Sequence, residues 1–298
     1  MISFFLTGFI LTVLTACFTN TDKPQQVESR EPLQTEEIAV SPSGYNLSSP
    51  DQTIKLPLAL REVSGITMTD SRTLACVQDE NGLIFLVDVE KGELKSYFPF
   101  HSNGDYEGIA YAGTDIYVLK SNGNIYQVSF SGASGNTRKI LKADIDKADF
   151  EGLCLDRKNN RLLAVPKNNP LEDSEDKNRH PAYGLDLKTE TFAGTPVFYF
   201  DRKSIKEFAK KNDIDDAAFK PSAIGIHPVT GEIYVLSAAS RMLFVFSPNG
   251  SIRHIEKLKR GIFNMPEGIS FTPEGDMFIS NEGGESSPTI LRFNYIGK

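Results

Sequence analysis

Short apolar runs separated by turn residues recur along most of this sequence. The pattern is clearest in the unit that begins at Glu107, where four such runs are rich in β-branched and aromatic residues. Gly, Asn and Ser lie between the runs, which is typical of β-strands joined by tight turns. The unit that begins at Ser64 repeats the four runs in the same order. The strands predicted for the two units are 65–68, 73–77, 83–88 and 94–100, then 107–111, 115–119, 124–129 and 137–141.

A tripeptide of Ser or Glu, a small residue and an apolar residue opens each unit. It occurs five times, and its middle residues, at positions 65, 108, 152, 223 and 268, are 43, 44, 71 and 45 residues apart. A period in the low forties with four strands in each unit is typical of β-propeller blades. The sequence therefore predicts an all-β fold, a five-bladed β-propeller of four-stranded blades over residues 45–298.

The last unit contains only three predicted strands, at 268–271, 277–280 and 290–295. An incomplete blade would leave unpaired backbone groups at the edge of its sheet. The segment Thr53–Leu56 has the composition of a strand and precedes the first unit. We therefore expect this N-terminal strand to complete the last blade and to close the ring.

The 71-residue unit is longer than the others and carries two insertions. One insertion is a polar loop over residues 167–180. The other lies at residues 203–214, where Ser204 and Glu207 have the spacing of a capping box and apolar residues follow at helical spacing. The sequence predicts one short amphipathic helix there, with Ser204 at its N-terminal cap.

The N-terminal residues differ in composition from the repeats. Residues 1–16 lack charged side chains and contain a short apolar run, which is typical of a lipoprotein signal peptide and too short to span a bilayer. The run ends in Leu14-Thr-Ala-Cys17, which resembles a bacterial lipobox and implies lipidation of Cys17; an ordinary signal peptide is the alternative. Residues 17–44 are polar and predict a flexible tether. Phe18, in the place where Asp would signal inner-membrane retention, favours the outer membrane.

Charge and motif content exclude several function classes. The net charge of −7 is spread along the chain without a basic stripe, which argues against a nucleic-acid partner. Cys76 and Cys154 lie in apolar, strand-like runs, so we expect buried free thiols rather than a disulfide. The four histidines are scattered, and the sequence contains no H-E-x-x-H and no G-x-S-x-G. No nucleophile–base pair is visible.

Six short strings form a recognisable set, of which Gly104–Ala110 is the most specific. The others are Leu56-Pro57, Glu62–Ile66, Gln78–Gly82, Pro221–Ile224 and His227-Pro228. Together they resemble the SdiA-regulated propeller family over a span from about residue 45 to the C-terminus. The resemblance implies a five-bladed propeller with a bound calcium ion and distant kinship to NHL and gluconolactonase-type propellers. It implies little about an activity, because the family name records the regulation of a relative.

The first strand of a propeller blade is innermost, so equivalent positions of the five first strands lie at one height around the central channel. Three carboxylates that converge there would repel one another and raise one another's pKa. A divalent cation would remove this conflict, and calcium, with six to eight oxygen ligands, is the predicted cofactor. Magnesium demands tighter octahedral geometry, and zinc would need His or Cys, so both are disfavoured. The predicted ligands are Ser64, Glu107, Glu151, Ser222 and Glu267, which we call the ring residues.

An interpretation without a metal is also open. Each ring glutamate could cap a turn or pair with a nearby lysine, such as Lys120 or Lys167. Each glycine of the tripeptides could simply allow close packing of the innermost strands.

Residues that follow the second strand of a blade should lie on the same face of the propeller as the ring residues. The second strand runs back, so its end returns to the height at which the first strand began. Both insertions should emerge on this face, which we expect to be the working face because long loops on a rigid scaffold tend to carry function. The predicted rim of the site is Asp79, Glu80, Asn281 and Glu282.

Three functions are compatible with this pattern. The first is a monomeric, membrane-tethered, calcium-binding propeller that is not an enzyme and recognises a protein or a glycan at the bacterial cell envelope. The second is a metal-dependent hydrolase of the lactonase, phosphodiesterase or phytase type, with Asp79 or Glu80 as a base beside the ion. The third is a purely structural role, in which the ion stabilises the ring of blades and no substrate is needed.

Overall fold

The computed structural model describes Ser41 and residues 43–297 of the chain. The predicted signal peptide, the lipidation site at Cys17 and most of the predicted tether lie outside these residues. The described part forms five antiparallel β-sheets, and the first strands of neighbouring sheets contact one another around a closed ring. The fold is the predicted five-bladed propeller.

The first two blades match the predicted strands to within about two residues at each end, because turn residues bound every run. One strand, β1 (Gln52–Lys55), precedes them. A single 3-10 turn, Leu58–Leu60, follows β1. The strands of these blades are β2 (Val63–Met68), β3 (Thr73–Gln78), β4 (Leu83–Asp88) and β5 (Glu93–Pro99), then β6 (Tyr106–Ala112), β7 (Asp115–Lys120), β8 (Asn124–Phe130) and β9 (Gly135–Lys142).

The third blade differs because it carries the insertions, and its outer strand is split into two pieces that pair with different halves of the long third strand. A second 3-10 turn, Arg157–Asn159, joins its first two strands. The strands of blades 3 to 5 are β10 (Phe150–Asp156), β11 (Arg161–Pro166), β12 (Arg179–Asp186), β13 (Thr191–Phe192) and β14 (Phe198–Asp201), then β15 (Ala223–Ile226), β16 (Ile233–Ser237), β17 (Met242–Phe246) and β18 (Ile252–Lys257), then β19 (Pro266–Phe271), β20 (Met277–Asn281) and β21 (Thr289–Phe293).

Strand β1 closes the ring, as predicted. It pairs antiparallel with β21, with Gln52 opposite Arg292 and Lys55 opposite Thr289. Ile54 of β1 is 2% exposed and packs between the last blade and the first. The fifth sheet therefore contains strands from both ends of the domain.

The packed region extends a few residues further toward the N-terminus than the predicted boundary at residue 45. Tyr45 is fully buried, and the carbonyl oxygen of Ser43 accepts a hydrogen bond of 2.9 Å from the Tyr234 hydroxyl. The Ser41 hydroxyl donates to Glu256 over 2.7 Å. These contacts fix the described N-terminal residues against the fourth and fifth blades.

The predicted short helix is present as α1 (Arg202–Lys211), with Ile205 and Ala209 buried. Its predicted cap at Ser204 is wrong. The carboxylate of Asp201 caps the helix by accepting from the amides of Lys203 and Ser204, and the Ser204 hydroxyl donates to the same carboxylate over 2.9 Å. Asp is as strong a cap as Ser, so the helix begins earlier than the capping-box spacing indicates. No helix within Ser41 and residues 43–297 has the length and the apolar character needed to cross a membrane.

The hydrophobic core consists of five layers, one between each pair of adjacent blades. Cys76 and Cys154 are buried in two of these layers as free thiols, as predicted. Burial raises the pKa of both thiols, so they are packing residues. Because the apolar packing lies between adjacent blades, the side chains that the innermost strands direct into the channel can be polar.

Candidate metal and binding site at the channel mouth

β-Bulges in the backbone determine where the side chains of the three ring glutamates point. A β-bulge interrupts the pairing of the first two strands at Glu107, at Glu151 and at Glu267. A bulge leaves a residue unpaired and re-aims its side chain. The three carboxylates therefore leave the sheets at the same repeat position, and together with Ser222 they line one small cavity on the channel axis. Ser64 is not among the residues that line this cavity.

The channel is narrow at this height because the innermost strands are in close contact. A Cβ on Gly108 would lie 2.7 Å from the Leu153 Cβ, and a Cβ on Gly65 would lie 2.8 Å from the Glu107 carbonyl oxygen. Only glycine fits such an approach of neighbouring strands. The cavity among the ring residues has a volume of about 10 Å³, which is room for roughly one water-sized ligand.

The two ring serines connect neighbouring blades. The Ser64 hydroxyl donates to the Tyr106 carbonyl over 2.6 Å, and the Ser222 hydroxyl donates to the Pro266 carbonyl over 2.9 Å. Each acceptor directly precedes the ring glutamate of the next blade. Both serine protons are therefore donated to the backbone, and Ser222 Oγ also accepts from the Ala238 amide over 3.2 Å, so only the remaining oxygen lone pairs are left for a cation. Their role as ligands stays a prediction.

The pKa values of all three ring glutamates are raised, and those of Glu107 and Glu267 are raised strongly. Burial, followed by the charge of Glu151, raises the pKa of Glu107 from its ordinary 4.5 to about 10. Burial, followed by the charges of Glu151 and Glu282, raises that of Glu267 to about 8. Glu151 and Glu267 are 5% and 9% exposed. The site thus holds more negative charge than it can keep ionised at neutral pH.

Lys167 supplies a cation inside the site. Its Nζ lies 2.8 Å from Glu151 Oε1. Burial alone would lower the lysine pKa, but the bond to Glu151 and the charges of all three ring glutamates raise it. The pairing of a glutamate with a lysine, left open by the sequence, is therefore present for Glu151. Glu107 and Glu267 have no such partner within the described part of the chain.

The rim residues extend the acidic surface outward. Burial, followed by the charge of Glu62, raises the pKa of Asp79 to about 7. Burial, followed by the charge of Asp79, raises that of Glu282 to about 7. Glu80 is exposed. Oδ1 of Asp79 and Oδ1 of Asn281, which is 1% exposed, are buried without a hydrogen-bond partner among the described residues.

Sequence reasoning missed a second acidic tier. Glu62, Asp105 and Asp149 lie two residues before Ser64, Glu107 and Glu151, respectively. Asp105 is one of the groups that raise the pKa of Glu107, and its charge also raises the pKa values of Asp79 and Glu151. The signal was present, because these acids occur at one constant offset from the tripeptides.

Both insertions lie beside this site. Arg202 at the start of α1 pairs with Glu172 of the polar loop and donates to the Lys177 carbonyl over 3.0 Å. The same arginine and Lys167 line a cavity of about 410 Å³. Since Lys167 also reaches Glu151, the loop and the N-terminus of the helix border the acidic mouth.

The residues fit a divalent cation in charge and chemistry, although they are not arranged as a finished coordination shell. Within Ser41 and residues 43–297, no three His, Cys, Asp or Glu side chains stand in metal-binding geometry. The buried oxygens of Asp79 and Asn281 that lack donors are of the kind that a hard cation satisfies. A cation at the mouth would require the carboxylates to move toward one another.

The fold and this site define a class, a five-bladed propeller with an acidic channel mouth. The particular family follows from the sequence: the SdiA-regulated family model matches residues 39–284, and the chain belongs to that family. No curated protein matches the chain significantly.

Several solved structures are similar to this chain at low sequence identity. Glutaminyl cyclase of Myxococcus xanthus has a TM-score of 0.52 and 13% identity, over 83% of this chain and 95% of the cyclase. A luciferin-regenerating enzyme has a TM-score of 0.49 and 12% identity, over 84% of this chain and 96% of that enzyme. A Bacteroides thetaiotaomicron protein of unknown function has a TM-score of 0.47 and 13% identity, over 74% of this chain and 52% of that protein. At 13% identity, the likeness to the cyclase, the one of these three with a TM-score above 0.5, shows the fold alone.

Proposed function

We propose that the protein is a calcium-binding propeller that recognises a partner at the cell envelope through its acidic mouth. The observation that carries the proposal is the convergence of Glu107, Glu151 and Glu267 around one small cavity, where the half-exposed ammonium of Lys167 pairs with Glu151 alone among the described residues. Buried carboxylates without a counter-ion are costly. A divalent cation would offset that cost.

The ligand chemistry favours calcium among common divalent ions. Glu107 and Glu267, which lack a lysine partner, would hold it, and the unpartnered oxygens of Asp79 and Asn281 would add rim ligands. Carboxylate and amide oxygens in a site without fixed octahedral geometry suit calcium better than magnesium. A bound calcium supplies positive charge to which carboxylate or hydroxyl groups of a protein or glycan partner can coordinate.

A calcium titration tests the proposal. Protein dialysed against a chelator should bind calcium and unfold at a higher temperature when calcium is added, with about 2.7 kcal/mol gained at a hundredfold excess over Kd. The double change Glu107→Gln/Glu267→Gln keeps the Glu151–Lys167 pair and should abolish both effects. Glu274→Gln is the matched control, because Glu274 is exposed in the turn at the opposite end of β19. A calcium-induced shift that persists in the double variant would contradict the proposal.

The envelope location rests on the N-terminal segment, which lies outside the described residues. We propose that Cys17 carries the lipid anchor and that residues 17–44 tether the propeller to the outer membrane. Labelling of cells with a radioactive fatty acid should mark the wild-type protein and leave Cys17→Ser unmarked. Equal labelling of both would rule out this anchor.

A metal-dependent hydrolase is the second candidate, and the cavity of about 410 Å³ beside the mouth favours it, because its size is that of a small-molecule pocket. In that case Asp79 would act as the base beside the ion. Lactone and phosphoester substrates assayed with and without a chelator decide between the two functions. The absence of metal-dependent turnover on all of them would leave the binding function.

A further inference from the structure

The opposite mouth of the channel has a different chemistry, set by the same five strands. Side chains two residues apart on a strand lie on the same face. The residue two positions after the ring residue is apolar in all five blades and is at most 5% exposed. These five side chains plug the channel. The plug consists of Ile66, Ile109, Leu153, Ile224 and Ile269. It separates the acidic mouth from the far end.

The residue four positions after the ring residue is again large and apolar in all five blades, and each of these five residues is half-buried. They lie at the far mouth, where a concave cavity of about 540 Å³ opens, which we call the axial cup. Pockets for small molecules have volumes of roughly 300–1,000 Å³. The wall positions are Met68, Tyr111, Leu155, Ile226 and Phe271.

The aromatic walls of the axial cup are held in place. The Tyr111 ring packs edge-on against Phe130 at 5.9 Å, and its hydroxyl donates to the Gly113 carbonyl. The Phe271 ring packs against His227 at 5.2 Å and against Tyr234 at 5.3 Å. Rigid aromatic surfaces of this kind are preorganised for an apolar ligand.

Met68 lies between these two walls in blade order, since blade 1 adjoins blades 2 and 5. Its thioether side chain can adapt to a ligand. Two hydroxyls near it accept backbone hydrogen bonds: Ser270 accepts from the Met68 amide over 3.0 Å, and Thr67 accepts from the Tyr111 amide over 3.3 Å. The five wall positions of the cup are apolar.

The rim of the axial cup offers one free cation. Arg157 lines the cup, is exposed, and has no carboxylate within ion-pair distance among the described residues. Asp70, the other charged residue of the lining, accepts from the amides of Arg72 and Thr73 in its own turn. Asp70 is on blade 1 and Arg157 follows β10 on blade 3, so the two are not on adjacent blades.

We propose that the axial cup binds a small apolar molecule with one anionic group. The apolar body contacts Tyr111, Met68 and Phe271, and the carboxylate or sulfonate pairs with Arg157. The site is independent of the calcium site, because the plug of five buried aliphatic side chains lies between them.

Fluorescence titration with anilinonaphthalene sulfonate, followed by displacement with decanoate, tests this site. Both probes have an apolar body and one anionic group. The wild-type protein should bind the dye saturably, with one site per chain, and decanoate should displace it. Arg157→Gln should weaken binding about tenfold by removing the charged partner. Lys158→Gln is the matched control, because Lys158 lines the neighbouring cavity and not the cup.

A second variant tests the apolar wall. Met68→Glu places a negative charge in the cup and should abolish binding, while the melting temperature shows whether the fold is retained. Arg157→Gln changes an exposed side chain, so its result does not depend on folding. The proposal is overturned if the wild type shows no saturable binding, or if Lys158→Gln weakens binding as much as Arg157→Gln does. Loss of dye binding in Glu107→Gln/Glu267→Gln would assign the dye to the acidic mouth instead.

Discussion

Without calcium, the acidic mouth should make the protein less stable as the pH rises. A carboxyl group with a raised pKa keeps its proton in the folded state after the unfolded chain has lost it. Stability is therefore full below the unfolded pKa and is lost as the pH rises toward the folded pKa. For Glu267 the window runs from its ordinary 4.5 to about 8. Glu107, raised to about 10, extends the window upward.

The magnitude follows from the linkage of one proton. Each pH unit within the window costs about 1.4 kcal/mol for each proton that the folded state retains. The glutamates titrate as an interacting set, so we take one proton for the set, which gives roughly 4 kcal/mol between about pH 5 and pH 8. In a domain of this size, the melting temperature should fall by on the order of ten degrees.

The assay is thermal unfolding in a chelating buffer at a series of pH values, with and without excess calcium. The variant Glu107→Gln/Glu267→Gln has neutral side chains of the same shape, so its melting temperature should exceed that of the wild type at about pH 8 and change less with pH. Calcium should raise the wild-type value at high pH and leave the variant unchanged. A wild-type melting temperature that stays level or rises from about pH 5 to pH 8 in chelator would refute the reasoning.

Three further changes test other parts of the structure. Lys167→Met should strengthen calcium binding about tenfold in a calorimetric titration, because it frees the Glu151 carboxylate. Lys120→Met is the control and should leave calcium binding unchanged, because Lys120 has no ion pair among the described residues. Gly108→Ala should lower the free energy of unfolding in denaturant by about 2 kcal/mol, because its Cβ would lie 2.7 Å from the Leu153 Cβ. Gly194→Ala is the control and should lower it by less than about 0.5 kcal/mol, because a Cβ there would have no atom within 4 Å. Ile54→Asp should lower the free energy of unfolding by about 3–5 kcal/mol, because it buries an unpaired charge in the closing strand. Thr53→Asp, on the exposed face of β1, should change it very little. Equal losses in the two variants would show that β1 does not pack as described.

The repeat predicts the fold well because it records a physical requirement of every blade. Each innermost strand must approach its neighbours closely, which fixes a small residue at 65, 108, 152, 223 and 268. The closing strand was also predictable, since an incomplete last blade leaves an edge that must be paired. The cap at Asp201 was not, because Asp and Ser are equivalent caps and only the path of β14 selects between them.

The site was less predictable than the fold because it depends on side-chain positions. The sequence places Glu151 on the first strand of blade 3 and Lys167 directly after the second strand, but it does not say whether the lysine points to the glutamate or to solvent. The bond of 2.8 Å settles that choice. The acidic tier at Glu62, Asp105 and Asp149 is readable from its constant offset of two residues before the ring position, but it lies outside the tripeptides that define the repeat.

Alternate positions of the same five strands produce two chemically distinct ends of one channel. The ring position carries carboxylates on blades 2, 3 and 5, the next position on that face is aliphatic in all blades, and the one after it is large and apolar in all blades. An apolar plug excludes water from the channel, which keeps the carboxylates in a poorly solvated site and so raises their pKa values. The plug that isolates the axial cup is thus also a cause of the charge conflict at the acidic mouth. Replacing Ile109 with Ser, which would admit water to the channel, should therefore lower the pKa of Glu107, and a flatter dependence of stability on pH in chelator would show it.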